Sequence, residues 1–297
     1  MNIRKFKADR IFTGSEFLSG NFVLTVTEEG EIKGWEEFDE TDEQVEKYEG
    51  IICPGFINAH CHLELSHMKE LIPKKTGLVP FLMDVVGKRN FSNELILESM
   101  KSAENEMFED GIVAVGDICN THQSIAIKKQ SKIQWSNFVE MISYREENFS
   151  EESKRYLEVL NAFREAEKTI SPNHFISSLV PHAPYTVGAD AFEFINGQTK
   201  GQIVSCHNQE SAEEDKLFQT GKGRFRDLLS KFGSEESPFP ITGKTSLTSW
   251  LPHFDAGQKI ILVHNTFTSP EDVDFALAHA KNHLSGLFFF ICANANM

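Results

Sequence analysis

From residue 51 onward the chain alternates short apolar runs with helical stretches, and this alternation constrains the fold more than any other feature. The runs are Ile51–Ile57, Ile112–Val115, Ile133–Met141, Phe175–Val180, Gln202–Ser205, Ile260–Val263 and Leu287–Ile291. They have strand length, and the stretches between them carry helical periodicity. Ile96, Met100, Ala103 and Met107 fall on one face of a helix predicted from about 93 to 110, with Gly111 just past its end. A second helix starts after Ser150 and carries Leu157, Leu160 and Phe163. A third opens on Ser269 as N-cap, with Pro270 first and Asp272 third in the helix. Seven strands alternating with helices imply an α/β fold on a parallel sheet, and 297 residues suit a single α/β barrel. There is no internal repeat.

Residues 1–50 read differently. Phe22, Leu24 and Val26 alternate with Val23, Thr25 and Thr27, a turn follows at Glu29-Gly30, and residues 31–38 form the partner strand. Residues 39–48 are acidic and polar, which predicts a linker. The expected organisation is a β-rich segment over 1–50 and an α/β domain over 51–297.

Hydrophobic residues at 40% and charged residues at 25% are the composition of a folded globular chain. The net charge of −15 repels phosphate backbones and anionic lipid, so nucleic acid and membrane surfaces are excluded as partners. The five cysteines, at 53, 61, 119, 206 and 292, are odd in number and form no C-x-x-C pair, which points to a reducing compartment and a cytoplasmic location. The N-terminus has no apolar core of a signal peptide, and the longest apolar run, near Leu287–Ala293, is too short to span a bilayer.

The chemistry sits at the ends of the strands. His60 and His62 lie two apart at the end of the first run, so an extended backbone puts both imidazoles on one face, close enough to share an ion. His182, His207 and His264 each follow a later run directly. Active-site groups of a TIM-type barrel collect at the C-terminal ends of its strands, and four strands ending in histidine are hard to attribute to chance. Glu210 lies three residues after His207, where a carboxylate can take a proton from activated water and deliver it to a substrate atom. The histidines at 67, 122, 174, 253 and 283 lack this placement and read as surface or supporting residues.

Other chemistries fail on their residues. No G-x-G-x-x-G occurs, and Gly243-Lys244-Thr245 follows Pro240 rather than a strand, which rules out a phosphate loop. The fourth run ends Val180-Pro181-His182, without the lysine that a carboxylated binuclear centre needs. His62-Leu63-Glu64 matches half of the small-fold deaminase signature, but no P-C-x-x-C accompanies it. The cysteines lie one per strand, so no all-cysteine zinc site forms, and Cys61 and Cys206 are expected to point into packing. The long segment from Phe232 to Gln258, rich in Gly, Pro, Ser and Thr, is expected to lie over the site as a lid.

PGFINAHCHLELSH, VPHAPYT, a strand-end His followed by Asn-Gln-Glu, and LVHNT together resemble the amidohydrolase superfamily. The nearest branch is the cytosine deaminase, guanine deaminase and chlorohydrolase-like group, and within it the aminodeoxyfutalosine deaminases of menaquinone synthesis. The resemblance implies a (β/α)8 barrel, with residues 1–50 as half of a small composite β-sandwich. It implies His60, His62 and His207 as ligands of one divalent ion, zinc or iron, Glu210 as proton shuttle, and His264 as the group that orients and polarises the attacking water. It places His182 and Glu64 against substrate. The implied activity is hydrolytic deamination of an aminated heterocycle, a 6-aminopurine nucleoside, with release of ammonia. The small heterocyclic substrate is the expected partner, and a homodimer the assembly considered. A hydrolase with chloride or amide as leaving group, and a non-catalytic metal-binding homologue, are the competing readings. The family's fourth ligand is an Asp ending strand eight. After the seventh run this sequence reads Cys292-Ala293-Asn294-Ala295-Asn296-Met297, with Ala293 in the place of the usual Pro. The expectation is therefore a barrel without its eighth strand, from an incomplete chain or a truncated protein. Low activity, weak metal affinity and aggregation follow for the chain as written, unless Glu64 or Asp117 completes the site.

Overall fold

The computed structural model describes residues 3–170, 174–234 and 236–293, so the expected Asn294-Ala295-Asn296-Met297 segment lies outside the described residues. The chain divides into two compact units, Met1–Phe56 and Ile57–Met297. The first unit holds β1 (Ile3–Lys7), β2 (Arg10–Ile11), β3 (Phe22–Thr27), β4 (Ile32–Glu37), β5 (Val45–Lys47) and β6 (Ile51–Ile52). β3 and β4 form the hairpin read from the alternation, with Gly30 at φ +89° in its turn, a conformation open to glycine at little cost. β1 pairs antiparallel with β3 and parallel with β5. The acidic stretch expected as a linker thus contains a strand. The run expected as the first barrel strand is also divided. Ile51-Ile52 pairs with Arg10-Ile11, Pro54 and Gly55 break the extended pairing, and the barrel-type strand starts only at Phe56.

The second unit is α/β. Its strands are β7 (Phe56–Cys61), β8 (Ile112–Cys119), β9 (Gln134–Met141), β10 (Phe175–Pro181), β11 (Ile203–Asn208), β12 (Lys259–His264) and β13 (Gly286–Phe290). They form one sheet in the order β10-β9-β8-β7 and a second in the order β11-β12-β13. β8, β9 and β10 run parallel to one another, as do β11, β12 and β13. Ser178 Oγ of β10 donates to the Ile203 carbonyl of β11 at 2.6 Å, which ties the two sheets edge to edge. Sequential order and parallel direction are the TIM-barrel pattern; among the described residues the strands do not close into a ring.

The helices are α1 (Leu78–Lys88), α2 (Asn93–Glu109), α3 (Ile125–Lys128), α4 (Phe149–Glu167), α5 (Ala189–Gln198), α6 (Ala212–Thr220), α7 (Phe225–Lys231), α8 (Ser246–Trp250) and α9 (Pro270–His283). α2 starts where Ser92 accepts from the Leu95 amide, and its apolar stripe of Ile96, Met100, Ala103 and Met107 packs on the core. α9 opens with a full capping box between Ser269 and Asp272. Among the described residues, no helix is long and apolar enough to cross a membrane.

The segment expected to be a lid is largely core. Phe239, Leu247, Trp250, Leu251 and Phe254 are buried, and among the described residues of this stretch only Phe232 lines the cavity described below. Its polar residues act as caps, with Thr245 accepting from the Thr248 amide and donating to Asp272. Trp250 stacks on Phe192 and donates its indole N–H to Asn208 Oδ1 at 3.0 Å. Trp250→Ala is therefore expected to lower the unfolding free energy by about 3–5 kcal/mol in urea melts, the usual range for emptying a buried aromatic site. An unchanged midpoint would restore the lid.

Candidate metal and active site

Extended backbone with a period of two brings His60 and His62 to one side of the end of β7, and β11 carries His207 in to meet them. His62 Nε2 lies 3.2 Å from His60 Nε2 and 3.3 Å from His207 Nε2. The three form a set whose ligand atoms lie within 4.8 Å of one another. His207 donates both its backbone N–H (3.1 Å) and its Nδ1–H (2.7 Å) to the His182 carbonyl. That bond fixes the tautomer, leaving Nε2 with its lone pair toward the other two rings. Burial, followed by the neighbouring imidazoles, pushes His60 down to about 2 and His207 well below the ordinary histidine value. Burial lowers His62 too. Neutral rings with converging Nε2 atoms are the donor chemistry that a divalent ion such as zinc needs, so these residues fit the expected metal.

His182 follows β10 directly. The single hydroxyl proton of Thr186 goes to the Ala183 carbonyl at 3.0 Å, so Thr186 Oγ1 accepts from His182 Nδ1–H at 2.7 Å. His182 Nε2 is left as an acceptor, and burial lowers the ring to about 4. His264 ends β12 at φ +79° and is followed by Asn265 at φ +55°. Two successive non-glycine residues in the left-handed region are strained. Asn265 holds them there, its amide N–H donating to the Asn208 carbonyl and its side chain to those of Leu262 and Phe290. The turn brings His264 Nε2 to 3.5 Å from Glu210 Oε1.

Glu210 precedes α6 and follows Gln209, a third left-handed residue at φ +42°. Gln209 is buried, and its amide donates to Asp215 and Asp272. Burial raises Glu210 to about 7. Glu214, one turn into α6, is raised by burial to about 8, against opposing bonds from Ser246 and the Gln209 amide. The folded protein thus holds the Glu214 proton more tightly than the unfolded chain does. This contribution to stability is complete below the ordinary carboxylate range and is lost as pH rises through about 8. Urea midpoints are expected to fall less between pH 5 and pH 8 in Glu214→Gln than in the parent; equal falls would assign the slope to other groups.

These histidines and Glu210 line one cavity of about 780 Å³. Phe81, Leu82, Val85 and Phe232 form an apolar wall, with Arg89 at the rim. The other histidines expected outside the site do not line it. Cys206 is buried and Cys61 packs on the core, as expected.

Both carboxylates considered as completing the site are engaged elsewhere. Glu64 does not line the cavity. Its Oε1 accepts from the Thr121 amide and hydroxyl, and its Oε2 from the Asn120 amide. A substrate contact by Glu64 is therefore replaced by a loop-holding role. Asp117 is paired with Lys128 at 2.6 Å. The residue that sequence reading missed is Glu140 of β9, buried on the cavity wall, with Oε1 3.6 Å from His207 Nδ1 and Oε2 accepting from Asn120 Nδ2 at 3.0 Å. A lone Glu inside the run Ile133–Met141 was its only signal. Glu140, His182 and His207 form a second set with metal-ligand spacing.

Parallel strands with histidines at their C-terminal ends around one cavity define a barrel-type α/β architecture. The chain belongs to the amidohydrolase family, which matches residues 51–297. Among curated relatives it is 27% identical over 252 residues to an adenosine deaminase of Helicobacter pylori, covering 83% of this chain and 57% of that one. It is 24% identical over 196 residues to an aminodeoxyfutalosine deaminase of Nitratiruptor, covering 63% and 46%. The chain spans about half the length of these relatives. Among solved structures, Helicobacter pylori aminofutalosine deaminase in complex with methylthio-coformycin superposes with a TM-score of 0.78 at 22% identity, covering 97% of this chain and 69% of that one. That likeness bears on the fold.

Proposed function

We propose that this protein is a hydrolytic deaminase of adenosine-like nucleosides, working in the cytoplasm. The observation that carries the reading is the Glu210 carboxyl, 3.5 Å from His264, on the wall that also presents three converging imidazoles. His60, His62 and His207 would hold a divalent ion, zinc or iron, which would supply the Lewis acidity that makes water nucleophilic. Glu210 accepts the proton of that water as its oxygen bonds to the ring carbon bearing the amino group, and passes it to the adjacent ring nitrogen. His264 orients the water and holds charge on its oxygen. The C–N bond then breaks, ammonia leaves with the second proton, and a ring carbonyl remains. His182 Nε2, an acceptor, faces a donor on the heterocycle.

The cavity favours a particular nucleoside. Its volume exceeds the needs of a purine and ribose, the wall of Phe81, Leu82, Val85 and Phe232 suits an apolar 5′ substituent, and Arg89 at the rim suits an acid on that substituent. Aminodeoxyfutalosine combines these features and is the substrate we assign. Ammonia release is measured against 6-aminopurine nucleosides with varied 5′ substituents, guanine, cytosine, chlorotriazines and cyclic amides. Turnover restricted to the 6-aminopurine nucleosides is the expected result. Chloride release or ring opening without ammonia would move the protein to another leaving group, and stoichiometric metal without any turnover would make it a binding homologue.

A further inference from the structure

Behind the histidine pair lies a buried charged cluster that the deamination steps do not use. Asp117, near the end of β8, has no exposed surface. Its Oδ1 accepts the Leu63 amide N–H at 2.8 Å. Leu63 is the residue that follows His62. Asp117 Oδ2 in turn receives Lys128 Nζ at 2.6 Å. Lys128 is fully buried at the end of α3, over the rings of Trp135 and Phe163. It also donates to Asn137 Oδ1 at 2.7 Å and to Cys119 Sγ at 3.3 Å, so each of its three N–H groups has an acceptor. Asn137 continues the chain of contacts by donating to the Ile176 carbonyl. Gly116, beside Asp117, lets the strands close up at this point, since a Cβ there would lie 2.5 Å from the Ala59 carbonyl oxygen.

A buried ion pair gains little net stability over apolar side chains of equal volume, whereas losing one partner leaves an uncompensated charge. What distinguishes this pair is where it pulls. We infer that Lys128 is a positioning residue for the histidine ligands: by fixing Asp117, it sets the backbone that follows His62 and so the aim of His62 Nε2. The inference rests on the reading of His60, His62 and His207 as a metal centre.

The test measures two quantities on the full chain, the dissociation constant for Zn²⁺ by chelator competition and the unfolding midpoint of the metal-free protein. Lys128→Met and the neutral double variant Asp117→Asn/Lys128→Met are compared with Leu160→Ala, a core truncation in α4. Removing support behind a ligand typically weakens metal binding about 10–100-fold. That loss is expected in Lys128→Met, and it is expected to persist in the double variant even where its unfolding midpoint returns to the parent's. Leu160→Ala is expected to lower the midpoint and leave Zn²⁺ affinity alone. If Lys128→Met does not fold, the double variant, which buries no unpaired charge, decides. A double variant that binds Zn²⁺ as tightly as the parent overturns the inference. So does a Leu160→Ala variant that loses affinity as much as Lys128→Met. A parent that takes up no Zn²⁺ overturns the metal reading itself, a separate failure recognisable before any variant is made.

Discussion

Glu210→Gln is expected to take up metal like the parent and to lose about 10²–10⁴-fold in kcat, the usual contribution of a general acid–base group. Gln keeps the shape of the side chain and can still face His264 Nε2, but it can neither accept a proton from water nor give one to a ring nitrogen. The environment of Glu210 makes it suitable for both duties, since burial raises the carboxyl to about 7. A cation in the adjacent histidine set favours the ionised form and pulls that value down. The acid limb of kcat/KM in the parent is therefore expected below pH 7, and in Glu210→Gln it should vanish along with the rate. A Gln variant with near-normal kcat would assign proton transfer to another group, and Glu140, the other buried carboxylate on the cavity wall, would be the first to examine.

The parts of this molecule legible in the sequence are those with a local rule. α2 and α9 could be placed because caps and a 3.6-residue stripe are written within a few residues of one another. The strand-end histidines could be found because a histidine that interrupts an apolar run is conspicuous. What escaped depends on contacts distant in sequence. Lys128 reads as a surface lysine until β8 and β9 bring Asp117 and Asn137 to its ammonium group. Glu140 looks like an anomaly in a strand until Asn120 and His207 approach it. Glu64 was assigned to substrate because its neighbours resemble a family motif, but the amides of Asn120 and Thr121 claim its carboxylate. The segment 232–258 shows the opposite failure. Its turn-forming composition suggested a lid, yet Leu247, Trp250 and Phe254 repeat at helical spacing and are all buried. There the spacing of the apolar residues was the better guide.

His60→Ala is expected to reduce metal from one ion per chain to a substoichiometric trace, while His182→Ala retains it. This contrast matters because two overlapping sets of side chains have ligand spacing, His60 with His62 and His207, and Glu140 with His182 and His207. His207 belongs to both and cannot distinguish them. The hydrogen bonds can. His207 Nδ1 already donates to the His182 carbonyl, so the face of the ring toward Glu140 presents a proton rather than a lone pair. Nε2, which carries the lone pair, lies 3.3 Å from His62 Nε2. An ion in the second set would have to displace that proton and give up the bond that orients the ring. In the first set it meets the His207 lone pair and two further Nε2 atoms converging on one point, on rings that burial keeps neutral. Elemental analysis after dialysis gives the stoichiometry, and the thermal midpoint gives a second readout. An ion at about 100 times its dissociation constant adds about 2.7 kcal/mol to the folded state, so the parent and His182→Ala should melt higher with Zn²⁺ than without it, and His60→Ala should not. Metal retained in His60→Ala but lost in His182→Ala would transfer the ion to Glu140, His182 and His207, and with it the position at which water meets the substrate.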